Sequence, residues 1–119
     1  MHLCFQEMKS ELPGYAGALF GTLDGRAIHQ DGSLADPDAV ADLSALAGTW
    51  ERAYQNLGGS VDFGSNDELL LSATKAYIIV RVHHPSKRFL AVALGASGNI
   101  GYLRFRMRGW LRALVAEAS

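Results

Sequence analysis

The segment Phe89-Leu90-Ala91-Val92-Ala93-Leu94 has no polar residue on either side of a pleat. Successive strand residues point to opposite faces, so a strand of this kind must be covered on both. Tyr77 to His83 repeats the demand with Ile78, Ile79, Val80 and Val82, and Glu68 to Ala73 carries Leu69-Leu70-Leu71. The connections between these runs are short, which predicts consecutive antiparallel pairing. A sheet sandwiched between helices is therefore required.

Three helices are on offer to cover it. Residues 3–12 carry Leu3, Phe5, Met8 and Leu12 at loose helical spacing, ended by Pro13-Gly14. Residues 37–57 give the clearest pattern: Asp36 reads as N-cap, Pro37 suits the first helical position, and Asp38 complements the macrodipole. Its predicted apolar face is Leu43, Leu46, Trp50, Tyr54 and Leu57, and Gly58-Gly59 stops it. The third helix begins near Asn99 and places Ile100, Leu103, Met107, Trp110, Leu111 and Leu114 on one stripe. Between the first two, a strand over about 15–23 turns at Asp24-Gly25, read as a two-residue hairpin turn, into a short partner over about Arg26–Gln30 that Asp31-Gly32 ends. The predicted class is α+β in the order α-β-β-α-β-β-β-α, a five-stranded antiparallel sheet between helical layers.

At 119 residues the chain is expected to be one domain, residues 1–119, able to bury roughly 65% of its unfolded surface without disulfides or metal. Its single cysteine, Cys4, excludes an internal disulfide and fits a reducing, cytoplasmic setting. No signal peptide is visible after Met1, and no run reaches membrane-spanning length. The net charge of −1 conceals an asymmetry: residues 1–74 hold three basic and eleven acidic residues, whereas residues 75–119 hold eight basic residues and the single acid Glu117.

The chemistry-bearing candidates argue against catalysis. Gly95, Gly98 and Gly101 surround a helix start, but their spacing matches neither nucleotide-binding glycine pattern; a tight turn with Asn99 near the cap and Gly101 allowing close helix–sheet packing is the favoured reading. His83-His84, read as adjacent strand residues, point to opposite faces and cannot grip one metal, and His2 and His29 add no ligand spacing. No serine sits in a nucleophile elbow. Neither cofactor nor metal is expected. Arg104, Arg108 and Arg112 form a basic stripe in steps of four, read as a solvated face in preference to a nucleic-acid contact because the sequence pI is about 6.4 and no stacking aromatic flanks it. Docking of an acidic protein surface is a third use. On the central helix Ala41, Ala45 and Gly48 lie together opposite the apolar face, which either lets another helix approach closely or merely reflects alanine's helix preference.

Four motifs in this order (Gly17-Ala18 entering the first strand, Asp24-Gly25 at its turn, the central helix ending in Leu57-Gly58, and Asn99-Ile100-Gly101-Tyr102-Leu103-Arg104 opening the last helix) resemble the roadblock/dynein light chain family over about residues 14–112. The resemblance implies this five-stranded sheet with the central helix on one face and the terminal helices on the other. It also implies a dimer that joins sheets edge to edge and packs central helices together. Members scaffold or regulate Ras-like small GTPases or serve as non-catalytic dynein subunits, and bacterial members often sit beside a gliding-motility type GTPase.

The resulting expectation is a non-catalytic, homodimeric adaptor or regulator, with a profilin-like or sensory ligand-binding domain as the alternative. Ala41, Ala45, Gly48, Leu69 and Leu71 are the expected dimer contacts. Asp38, Thr49, Arg52, Gln55 and Asn56 are the expected docking residues for a Ras-like GTPase. Asp24, Gly25, Gly98, Asn99 and Gly101 are expected to be structural.

Overall fold

A computed structural model describes residues 1–58 and 67–119. The elements run α1 (His2–Glu11), β1 (Tyr15–Thr22), β2 (Ala27–Gly32), α2 (Ala39–Gly58), β3 (Glu68–Ser72), β4 (Ala76–His83), β5 (Arg88–Gly95) and α3 (Ile100–Ala118). The five strands form one antiparallel sheet in the order β2-β1-β5-β4-β3, so β2 and β3 are its edges. The predicted order of elements and the sheet are both present. Gly59 lies outside the described residues.

Alternation along β5 divides the interior in two. Leu90, Val92 and Leu94 face α1 and α3, joining Phe5, Met8, Phe20, Ile79, Leu103, Met107, Trp110 and Leu114 in the larger core. Phe89, Ala91 and Ala93 face the other way, against Leu19, Val80, and Val40 and Leu43 of α2. All six of these β5 residues are at most 5% exposed, as a strand without a polar face requires.

The local signal holds at the start of α3 and is displaced at α2, which begins at Ala39, so that Asp36 and Pro37 precede the helix as turn residues and are not its cap and first residue. Asn99 caps α3, its side chain accepting from the Tyr102 amide at 3.0 Å. Asp36 Oδ1 accepts from the Asp38 amide at 2.8 Å in the turn leading into α2. The β1–β2 connection differs from the two-residue turn expected at Asp24-Gly25. Residues 23–26 lie between the strands, the Thr22 hydroxyl bonds the Asp24 carboxylate, and the Arg26 amide donates to Thr22 Oγ1 at 3.0 Å. The threonine side chain stabilises a wider loop, and Gly25 takes φ +100° within it. The close approach expected of Gly101 belongs to Gly98, where a Cβ would stand 2.9 Å from Leu94 Cβ; at Gly101 it would meet only Asn99 Oδ1, at 3.4 Å. Strand β4 ends at His83, and His84 opens a 3₁₀ turn, so the two histidines do not share a strand.

Gly109 sits in the middle of α3, exposed, and a Cβ there would meet nothing within 4 Å. Gly109→Ala should therefore stabilise the fold by about 1 kcal/mol through helix propensity alone, measurable as a rise of a few degrees in melting temperature. An unchanged or lower melting temperature would show that the space is needed.

Candidate functional site

The apolar repeat of α2 and its buried stripe do not coincide. Val40, Leu43, Ser44 and Ala47 are the buried residues, a spacing of three and four, and the last of them is Ala47. Val40, Leu43 and Ala47 seat this stripe on the sheet, and the Ser44 hydroxyl among them donates to the Thr22 carbonyl at 3.0 Å at the end of β1. The opposite flank, with Leu46, Trp50 and Leu57, is thereby turned away. Leu46 is 37% and Leu57 72% exposed, contrary to the sheet-facing role their spacing suggested. Trp50 and Tyr54 are half-buried, packing ring against ring at 6.4 Å. An amphipathic helix of 20 residues is thus anchored over its first half and leaves an apolar flank along its second.

Edge strand β3 adds to this uncovered surface. Leu69 and Leu71 pair with Val80 and Ile78 and so lie on the α2 side of the sheet, both half-buried. Leu70 pairs with Ile79, faces the α3 side and is 37% exposed. A leucine-rich edge strand is an open template for another strand.

Ala41, Ala45 and Gly48 are exposed on α2, and a Cβ at Gly48 would meet nothing within 4 Å. Asp38, Thr49, Arg52, Gln55 and Asn56 are not buried either, Asp38 lying in the turn just before the helix. Arg52 Nη2 reaches Thr49 Oγ1 at 3.4 Å and Gln55 Nε2 reaches Glu51 Oε1 at 3.3 Å, both contacts within the helix. The residues expected at a dimer and docking surface thus gather on α2 with its entry turn and, for Leu69 and Leu71, on β3.

With this geometry the chain can be compared with known proteins. No family model matches the sequence, and no curated protein matches it. Solved structures do match. A Roadblock/LC7 domain from Streptomyces avermitilis superposes with a TM-score of 0.78 at 18% identity, over 99% of this chain and 97% of that one. The chain has the roadblock fold. MglB of Myxococcus xanthus matches with a TM-score of 0.74 at 16% identity, covering 99% of this chain and 94% of that one. An MglB structure with a tetrameric arrangement matches with a TM-score of 0.73 at 16% identity, over 95% and 83%. The sequence motifs and the structural comparison thus point to the same roadblock architecture.

Other groups in this roadblock fold serve to hold helices together. Arg106 pairs with Glu7, lies 3.2 Å from Glu11 Oε2 and stacks 4.8 Å over the Trp110 ring, while Tyr102 Oη donates to Glu11 at 2.9 Å, seaming α1 to α3. Burial, with help from Glu7, pushes the Cys4 thiol up to about 11, so it is no nucleophile at neutral pH. Burial and then the hydrogen bond to Asp31, at 2.7 Å, raise the Tyr15 hydroxyl. Among the described residues no three metal-ligating side chains cluster, and no helix is long and apolar enough to cross a membrane.

The seam has a pH signature. Hydrogen bonding with Glu11, then the Arg106 guanidinium, hold Glu7 below its ordinary 4.5. A carboxylate with a depressed folded pKa contributes stability above its unfolded pKa and loses it as pH falls through the folded value. Melting temperature should therefore drop as pH falls below about 4.5, and Glu7→Gln should flatten that part of the profile. Identical acid limbs in the two proteins would show that Glu7 contributes nothing to it.

Sequence reasoning missed a second grouping. Glu68 lies between Arg104, at 3.0 Å, and Arg81, at 3.7 Å, joining α3 to β3 and β4. Each strand residue is a charge beside an apolar run, Glu68 before three leucines and Arg81 within β4. That isolation was the available signal.

Proposed function

We propose that residues 1–119 are one roadblock-like domain that forms a homodimer and acts as a non-catalytic adaptor or regulator of a Ras-like small GTPase. The observation that carries the reading is the uncovered apolar flank of α2 together with the leucine-rich edge of β3, two surfaces that a second copy would bury at once. A two-fold axis beside β3 would extend the sheet and set the α2 helices side by side along the flank of Leu46, Trp50 and Leu57, with Ala41, Ala45 and Gly48 on the far side of each helix. The polar residues Asp38, Thr49, Arg52, Gln55 and Asn56 would then rim the paired helices as the GTPase-docking surface. Arg52 is the sole basic residue of α2, and its guanidinium suits bidentate contact with a carboxylate.

Light scattering should give twice the monomer mass at micromolar concentration. Leu57 is 72% exposed in the single chain, so Leu57→Asp should fold as the wild type does while self-association weakens. In a pull-down with a Ras-like GTPase of the same genome, Arg52→Glu should lose the partner and keep the dimer. A monomeric wild type would reject the dimer, and equal retention by wild type and Arg52→Glu would place docking elsewhere.

A further inference from the structure

The basic stripe of α3 borders a cleft. Arg108 and Arg112, on successive turns, form one wall of an open cleft of about 310 Å³ whose other lining residues are Leu111, Arg81, His83 and Asp67. We propose that this cleft binds the phosphate group of a soluble phosphorylated compound.

The cleft is built around a fixed cation. The Arg81 side chain is 15% exposed and is set against Glu68, which also engages Arg104. Two arginines thus share one carboxylate. Arg108 and Arg112 form no ion pair among the described residues. The acid of the lining, Asp67, is 60% exposed and lies 3.9 Å from His84 Nε2. Among the described residues the cleft is lined by three arginines and one carboxylate, a surplus of two positive charges before Glu68 behind Arg81 is counted and one after it, which suits a phosphate group.

His83 adds a ring nitrogen to the cleft. Its Nδ1 is held by Ser86, accepting from the amide at 3.3 Å and lying 2.7 Å from the hydroxyl, so Nε2 is the ring nitrogen left to face a ligand. Guanidinium groups from a strand and from two helix turns approach from different directions, and planar forks so arranged can engage several oxygens of one tetrahedral anion. Leu111 is buried at the cleft floor and contributes an apolar surface for the rest of the ligand. The volume lies at the lower end of the roughly 300–1,000 Å³ of small-molecule sites. A concave cleft between a strand and a helix favours a soluble compound over a flat bilayer.

The test titrates the ¹⁵N-labelled chain with inorganic pyrophosphate at constant ionic strength, with succinate as a dicarboxylate control. Saturable shifts should appear at Arg81, His83, Arg108 and Arg112, with succinate binding at least tenfold more weakly. Arg108→Ala/Arg112→Ala should lose at least tenfold in affinity with an unchanged melting temperature, since both side chains are exposed. A parallel arm floats the protein with phosphatidylglycerol vesicles. No saturable pyrophosphate binding, equal binding of succinate, equal binding by the double variant, or binding confined to the vesicles would each overturn the proposal.

Discussion

Gly32→Val is expected to unfold the chain. Gly32 has φ +62°, a left-handed conformation that costs a β-branched residue about 1–2 kcal/mol before any contact is considered. A Cβ there would press on the Ala16 carbonyl oxygen and stand 2.9 Å from Gly17 Cα. Its register partner Gly17 is equally confined, a Cβ on it meeting Asp31 O and Ser33 N, each at 2.7 Å. Every one of these neighbours is backbone, so none can rotate aside. Relief requires parting β1 from β2 where the Ser33 amide donates to the Ala16 carbonyl at 2.9 Å. The destabilisation should exceed about 4 kcal/mol, most of the stability of a marginal domain. Gly25→Ala is the control: its φ of +100° carries backbone strain, but nothing lies within 4 Å, so stability should fall by about 1–2 kcal/mol and the fold remain. Urea unfolding followed by circular dichroism separates the two. A Gly32→Val protein with a wild-type midpoint would mean that the β1–β2 crossing is not close-packed.

The contrast between these glycines marks where sequence stops being informative. Asn99 was readable because a cap acts on an amide only three residues away, here that of Tyr102. The two-faced sheet was readable because β4 and β5 carry apolar residues at consecutive positions, which no half-exposed strand tolerates. Gly17 and Gly32 touch only because of the register between two strands, and that register depends on a loop held open by Thr22. Helix α2 shows the same limit. Its helical periodicity was correct, yet the buried stripe is turned towards Val40, Ser44 and Ala47 and away from Leu46 and Leu57. Two apolar repeats compete on this helix, and the sheet takes the one formed by Val40, Leu43 and Ala47, beside which the Ser44 hydroxyl bonds the Thr22 carbonyl. The charged cluster of Arg81, Glu68 and Arg104 was hidden for a related reason: its members come from three elements.

That rotation matters because it leaves Leu46 and Leu57 without full intrachain cover, and it sharpens the expectation for β3. Leu69→Asp/Leu71→Asp should turn the proposed dimer into a monomer. Both leucines lie on the α2 side of the edge strand and are half-buried within one chain, so an aspartate at either position keeps access to water in a monomer. In a dimer joined at β3 the same positions would lie beside their symmetry mates, where four carboxylates would be desolvated close together. Burying even one unpaired charge costs several kcal/mol. The aspartates would also forfeit the apolar packing that the leucines bring to the interface. The dissociation constant should therefore rise at least a thousandfold, about 4 kcal/mol. Sedimentation equilibrium over micromolar concentrations would measure this, with the far-ultraviolet circular dichroism of the variant required to match that of wild type. A double aspartate protein that remains dimeric would move the interface away from β3 and leave the exposed α2 flank to be covered by a different partner.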